Sequence, residues 1–465
     1  MIRIEEIPHL DDPEGAWLAM RREPCAVWLD SLGGQYPELG RYSILASRPL
    51  STIEAHGDAI TLRTESGARR FRHCPFAALE AWISDRSTVT DGPLPFQGGA
   101  IGFLGYELGR FVERLPEPRP GGLGLPDLWF GDYGEVFLID HREERSFRAR
   151  RDDVPPFDVR RLTRAAPPLA PLAASELLGE SLDRDAYRQR VEKALEYIAA
   201  GDIFQVNLSR RLLLRRPGGD PALPYRHLRR HNGGPFSACL DLGGGRMLWS
   251  TSPERFLARE DRRVETRPIK GTIARSPDPE TDLRNREQLR ASAKDAAELT
   301  MIVDLERNDL GRVCEYGSVR VEEAKRLETY PTVHHLVARV TGELRSDVGL
   351  SDLLRATFPG GSITGAPKIR AMEIIHQLEP VPREAYTGAV GWISGDRLDL
   401  NIAIRTAFAA GDRCAVHLGS GIVADSDPEL EWRETEAKGR GLLRALSGAG
   451  QDRELTADGY VGLES

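Results

Sequence analysis

Between residues 183 and 201 apolar positions recur at helical spacing. Tyr187, Val191, Ala194, Leu195 and Ile198 share one face of DAYRQRVEKALEYIAAGD, with Asp183 as its cap and Gly201 as its stop. From Ile203 the period shortens. IFQVNLSRRLLLR (203–215) alternates like a strand, and FSACLDLGGGRMLWSTSPERFL reads as a hairpin turning at Gly243–Gly245. Helical spacing returns in SAKDAAELTMIVDLERNDLGRV and in GAPKIRAMEIIHQLEP, the latter opened by Pro367 in its first turn and closed before Pro380. AYTGAVGWISG and LDLNIAIRTAFAAG read as strands. DPELEWRETEAKGRGLLRAL is a last helix, with Asp427 as N-cap and Pro428 at the first position.

The first half reads differently, as short strands joined by turns: AVWLDS (26–31), GRYSILAS (40–47), the glycine-rich GGAIGFLGYELGRF (98–111), and one or two buried strands in DLWFGDYGEVFLIDH (127–141). DDVPPFDVRRLTRAAPPLAPLAAS (152–175) has no period and reads as a surface linker. The chain therefore divides into a strand-rich region 1–151, the linker 152–175, a regular region 176–448 and a short polar tail 449–465. Strands and helices without strict alternation predict an α+β fold.

Composition narrows the function. With 465 residues, a net charge of −8 and a pI near 5.8, the chain has no general basic footprint for nucleic acid. No apolar run reaches the roughly 20 residues of a membrane span, and MIRIEEIPHLDDPEG lacks a leader-like apolar stretch. The five cysteines are odd in number and carry no C-x-x-C pair. They predict neither a disulfide framework nor a zinc site, and so a reduced cytoplasmic setting. Of 63 basic residues only six are lysine: Lys193, Lys270, Lys294, Lys325, Lys368 and Lys438. A lysine kept against that bias invites an explanation in amine chemistry, because a desolvated ammonium can lose its proton and a guanidinium cannot. Lys270, in TRPIKGT, stands out on that count; the plain alternative is a solvated survivor at a strand end.

Other positions are suggestive singly. Glu431, Glu434 and Lys438 fall at i, i+3 and i+7 on the last helix, either as a solvated ladder or as half of a metal and anion site. Glu298 sits beside apolar helix positions and needs a partner if buried, either an arginine or a magnesium ion shared with Glu434. Gly419 and Gly421 let backbone N–H groups approach a ligand. FPGGSITGAPKIRAM (358–372) brings a glycine-rich turn into a helix N-terminus but is not a phosphate-binding Walker loop. Arg405 alternates with apolar residues and would want an anion, Glu254 follows a strand and a Pro turn, and His334 and His335 are by default buried structural imidazoles.

In order, GDIFQVNLSRR, STSPERF, RPIKGT, DAAELTMIVDLERNDLGRV, HHLVARVTG, PGGSITGAPK, YTGAVGW, NIAIRT and GSGIVADSDPELEWRETEAK resemble the chorismate-utilising enzymes over roughly residues 180–445, with WLDS…GRYSILAS and GGAIGFLGYELGR extending the likeness into the first half. The resemblance implies two layered, mostly antiparallel β-sheets flanked by helices, as in anthranilate synthase component I, with the site in a cleft between them. It implies Mg²⁺ on Glu298 and Glu434 with Glu431 in support. Ser362, Gly419, Gly421 and Lys438 would face the ring carboxylate, and Tyr386 and Arg405 the enolpyruvyl carboxylate. His335 would hold or protonate the C4 hydroxyl region, and Glu254 would act as acid/base. Gln205 stands where water-activating members carry lysine, which argues against isochorismate formation. Anthranilate-forming members usually read PIAGT; PIKGT implies amination of chorismate to 4-amino-4-deoxychorismate in 4-aminobenzoate and folate synthesis, with Lys270 as nucleophile. The alternatives are anthranilate formation and a degenerate, non-catalytic chorismate-binding subunit. No glutaminase nucleophile surrounds any cysteine, so ammonia is expected from a separate glutamine amidotransferase subunit. Ser31, Arg41, Tyr42 and Ser43 match the family's tryptophan pocket.

Overall fold

The computed structural model describes the chain except residues 34, 37, 86–91, 93 and 448–465, so the expected polar tail lies outside the described residues. Two large sheets form the body, each of twelve strands among the described residues, and every strand pairing is antiparallel. Both sheets draw strands from both halves of the sequence. In the first, Val27–Asp30 pairs with Phe236–Gly243, Trp28 opposite Cys239. In the second, Gly99–Leu104 pairs with Ala389–Ser394, Phe103 opposite Val390. A continuous ladder thus crosses from one half to the other in each sheet.

The sheets pack face to face, and helices cover their outer faces. Val136 and Leu138 of strand Glu135–Asp140 point into the inter-sheet core with Ile101, Phe103, Trp129, Leu240 and Phe408. Their neighbours Phe137 and Ile139 point outward, joining Trp17, Trp28, Tyr225 and Leu442 from strand and helix. Alternate side chains leave a strand on opposite faces, so a strand buried on both sides reads as an unbroken apolar run. The outer face of the second sheet packs Ile53, Leu257 and Leu400 against Phe76, Leu299, Val303 and Leu353 of helices.

Several expected elements form as read. Asp183 accepts the Ala186 amide at 2.8 Å and starts helix Arg184–Ala199; Asp427 accepts the Glu429 and Leu430 amides at 2.9 Å and starts Pro428–Ser447. Others differ. DLWFGDYGEVFLIDH makes two strands, Leu128–Tyr133 and Glu135–Asp140, that belong to different sheets with Gly134 as the crossing. LDLNIAIRTAFAAG likewise splits into Arg397–Ile402 in one sheet and Thr406–Ala410 in the other. The helix after PGGSITG starts at Lys368, with Pro367 as its N-cap residue rather than in its first turn. Helices Pro13–Met20 and Pro75–Ser84 arise where only strands were expected; the first is capped by Asp12 on the Gly15 amide at 3.0 Å. Segment 152–175 is laid against the body by buried Phe157, Leu162 and Leu172.

Candidate active site

Two crossings between the sheets lie side by side and carry Glu254 and Arg405. Glu254 sits between strands Arg246–Ser252 and Arg255–Glu260, and Arg405 just before Thr406–Ala410. The Ile402 amide donates to the Glu254 carbonyl and the Thr251 amide to the Arg405 carbonyl, both at 3.0 Å. Arg405 adopts φ +49°, a left-handed conformation that a non-glycine side chain takes at a cost, so the crossing holds it there against local preference. Burial lowers the pKa of its guanidinium, opposed by the Tyr36 and Glu254 charges.

Lys270 lies on strand Ile269–Ala274, and its Nζ donates to the carbonyl of Ser362, in the PGGSITG turn, at 3.0 Å. The Ile269 amide reaches Glu254 Oε1 at 3.3 Å. Glu254 is buried, and burial raises its pKa while the Lys270 charge works against that rise. Burial lowers the pKa of Lys270, opposed by Glu254 and Glu298. Each group is thus driven toward its neutral form. Arg267 points inward as well, but Glu328 neutralises it.

His335 is buried, with Nδ1 2.8 Å from Thr272 Oγ1. Burial, then the Arg405 charge, pushes its pKa down to about 3, so the imidazole is neutral. It can hold a hydroxyl but not protonate it as an imidazolium, which narrows the role implied by the sequence. Its neighbour His334 points to the other face of the strand and meets Asp282 at 3.0 Å.

Across the cleft, Gly419 and Gly421 lie on strand Arg413–Ile422, opposite Ser209 and Asn207. A Cβ on Gly419 would sit 2.7 Å from the Tyr386 hydroxyl, and one on Gly421 2.6 Å from Gln205 Nε2. These glycines therefore leave room for close approach by side chains. The Tyr386 ring stacks on His417 at 5.1 Å, and burial pushes its pKa up to about 12. Lys438 Nζ donates to the Gly419 carbonyl at 3.1 Å and pairs with Glu434 at 2.6 Å. Gln205 is buried with Oε1 unpartnered.

The three carboxylates expected to hold metal approach from two helices. Glu298 stands on Ala293–Gly311, Glu431 and Glu434 on Pro428–Ser447. Burial raises the pKa of Glu298 and of Glu431, and the charge of Glu434 adds to both rises. Glu431 Oε1 accepts from Ser426 Oγ at 2.6 Å, while its buried Oε2 has no partner. Among the described residues no three His, Cys, Asp or Glu converge as a ready-made metal cluster, and Glu434 is turned to Lys438. The all-oxygen donor set, the unpartnered Glu431 oxygen and the mutual repulsion nevertheless fit a small divalent cation such as Mg²⁺.

Away from these groups, Ser31 and Ser43 meet through their hydroxyls at 3.3 Å, with Ser43 Oγ 2.8 Å from His141 Nε2. Arg41 forks onto Asp140 and covers the Tyr42 ring at 4.8 Å. Sequence reasoning passed over Thr272 and the buried pair Glu379–Arg383, whose partners are distant in sequence. Lys368 lies inside as well, its Nζ pairing with Asp309 at 2.5 Å with the side chain 12% exposed.

The profile of the chorismate binding enzyme family matches residues 25–444. Aminodeoxychorismate synthase component 1 of Escherichia coli K12 is 39% identical, over 91% of this chain and 93% of its own length. Anthranilate synthase component 1 of Streptomyces coelicolor is 41% identical, over 88% of this chain and 81% of its own. The crystal structure of anthranilate synthase component I from Streptococcus pneumoniae superposes with a TM-score of 0.77 at 32% identity, covering 87% of this chain and 92% of that one. No helix among the described residues is long and apolar enough to cross a membrane.

Proposed function

The chain belongs to the chorismate-binding enzymes, and from that premise we propose that it aminates chorismate to 4-amino-4-deoxychorismate, using ammonia supplied by a glutaminase subunit. The observation that carries this reading is the partly buried amine of Lys270, held on the Ser362 carbonyl beside buried Glu254.

Tyr386 and Arg405 hold the enolpyruvyl carboxylate, while Lys438, Ser362 and the Gly419–Gly421 strand face the ring carboxylate. Unprotonated Lys270 attacks C2 of the ring. The C2–N bond forms, both ring double bonds shift, from C1=C2 to C1=C6 and from C5=C6 to C4=C5, and the C4–O bond breaks. Glu254 gives its proton to the departing hydroxyl, which leaves as water. Neutral His335 hydrogen-bonds in that region. Ammonia then adds at C4, the C2–N bond breaks, and Lys270 returns as an amine, with the surplus proton passing back to Glu254. The enolpyruvyl group is untouched. Glu298 and Glu434, with Glu431 behind them, would hold Mg²⁺, which when bound neutralises and orients the ring carboxylate.

The 41% identity to an anthranilate synthase supports a second reading, in which pyruvate is lost after amination. Purified protein incubated with chorismate, Mg²⁺ and an ammonium salt at alkaline pH decides between them by mass spectrometry. An aminated product that keeps the enolpyruvyl group is the expected result. Anthranilate with released pyruvate would replace it by the second reading.

A further inference from the structure

We propose that the buried Glu379–Arg383 pair is the positioning device of this site, setting the clamp on the substrate and the environment of Lys270 without touching the substrate or Lys270. The proposal rests on the amination reading for its chemistry and on geometry for its mechanism.

Arg383 is 1% exposed and spends all five of its N–H donors. Nε and Nη2 fork onto Glu379 at 2.9 and 2.6 Å. Nη2 also reaches the Asn207 carbonyl at 2.7 Å, and Nη1 the Ile363 carbonyl at 3.1 Å and Thr387 Oγ1 at 3.2 Å. Glu379 Oε1 takes the Ser209 amide at 2.8 Å. Each anchor is one step from a group already placed in the site. Ile363 follows Ser362, whose carbonyl holds Lys270. Thr387 follows Tyr386. Asn207 and Ser209 face Gly421 and Gly419 across the ladder. The guanidinium also lies 5.8 Å from the Tyr386 ring centroid. One planar ion thus ties the Tyr386 segment to a turn and a strand that are themselves laddered where Gln205 and Val206 face Ala366 and Gly365.

Burying such a pair costs desolvation that apolar packing would avoid, so stability alone is a poor reason to have one. Lysine could keep the charge, but its three tetrahedral donors cannot reproduce a planar five-donor fork. Arg383→Lys therefore loosens the three pieces while leaving the centre charged.

The test is steady-state kinetics of folded Arg383→Lys and Glu379→Gln, with melting curves to measure the folded fraction. For Arg383→Lys kcat/KM for chorismate falls by about a hundredfold, since displacements near 1 Å have that effect. The KM for ammonium stays within about twofold, as an uncoupled step should. The acid limb of the pH profile moves up toward the ordinary lysine range, because Lys270, released from its fixed setting, gains water. Glu379→Gln shows the same signature, smaller. A folded Arg383→Lys with kcat/KM within about threefold of wild type overturns the proposal, as does a loss that tracks the unfolded fraction with an unmoved pH profile. If Arg383→Lys does not fold, Glu379→Gln decides by the same criteria, and failure of both to fold makes the pair a folding element and also overturns it. Wild-type protein that forms no aminated chorismate defeats the amination reading instead; chorismate affinity by calorimetry, weakened in Arg383→Lys or not, then decides positioning.

Discussion

Gly419→Ala tests whether Tyr386 is fixed where the clamp requires it. The new methyl would sit 2.7 Å from the Tyr386 hydroxyl, 3.0 Å from the Leu208 carbonyl oxygen and 3.2 Å from Ser209 Cβ. Reaching ordinary van der Waals separation requires a retreat of roughly half an ångström or more. The ring has little freedom to give it: it stacks on His417 at 5.1 Å and 15°, and His417 stacks in turn on Phe408 at 5.9 Å. Leu208 O is backbone in the paired strand and cannot move alone. Overpacking of this kind costs about 1–3 kcal/mol. If that strain falls on the substrate-holding position of Tyr386, kcat/KM for chorismate drops about 10- to 100-fold. Gly421→Ala is the control. Its methyl meets Gln205 Nε2 at 2.6 Å, the end of a side chain that can rotate away, and no other atom closer than 3.7 Å; its loss should stay under about tenfold. Initial rates at saturating ammonium, with melting temperatures for both variants, give the comparison. A Gly419→Ala enzyme with unchanged chorismate KM and kcat, or a Gly421→Ala enzyme damaged more severely, would show that Tyr386 is not pinned by this contact.

Other expectations follow from the same geometry. Lys270→Arg keeps the charge and should still bind chorismate by calorimetry, but lose turnover by on the order of a thousandfold or more, since guanidinium supplies no nucleophile; turnover near wild type would exclude covalent catalysis by Lys270. The rate of wild-type enzyme should be bell-shaped in pH, rising as the lysine deprotonates and falling as Glu254 does, and Glu254→Gln should remove the alkaline limb in a stopped-time assay. Glu306 is buried with its carboxyl pushed up to about 8 by burial, against a hydrogen bond from Thr266. A folded-state pKa above the unfolded one means full stability below the ordinary pKa of 4.5 and a loss as pH rises toward 8. Glu306→Gln keeps an acceptor for Thr266 and should flatten this slope, raising the melting temperature relative to wild type at pH 8 but not at pH 4.5; equal slopes would exclude the assignment. Glu431→Gln and Glu298→Gln should each weaken Mg²⁺ binding in the presence of chorismate by about 10- to 100-fold, read by titration calorimetry; unchanged affinity would place the metal elsewhere.

Much of the helix and hairpin structure is local and so legible: the caps at Asp183 and Asp427, the three glycines at 243–245 with positive φ, the period of 184–199. The crossings between sheets were not. Ile402 and Thr406 lie in one alternating apolar run, and alternation persists through a crossing because both sheets bury that side. The only local trace is Arg405 amid apolar residues. The helix Pro13–Met20 hid because eight residues give a period too few repeats, although Asp12-Pro13 carried its start signal. Which histidine of the pair faces Arg405 depends on strand parity, set by the bulged register of Ile269–Ala274 on Val333–Glu343, and no spacing reports that. Arg383 and Glu379 are one helical turn apart, a pattern common to surface ladders; the partners that make the pair matter lie 170 and 176 residues away or on another turn.

Four of the chain's six lysines stand around this cleft, Lys294 acting on Glu298 and Glu431 through its charge, and the other three each do something a guanidinium would do differently. Lys368 puts one compact charge between Asp309 and the Thr357 carbonyl, at 2.5 and 3.1 Å, where a planar fork would demand more acceptors than those two. Lys438 serves as a point charge shared between Glu434 and a backbone carbonyl. Only for Lys270 does the proton itself matter. It faces a carbonyl, which accepts a hydrogen bond from either the amine or the ammonium, and burial tips the balance toward the amine. Glu254 beside it is tipped toward the acid. A full ion pair between them would have stabilised both charges and left neither nucleophile nor proton donor. Holding Lys270 on Ser362 keeps the two in contact with the same cleft without committing the proton, and that is the condition under which one residue can attack while the other protonates a departing hydroxyl.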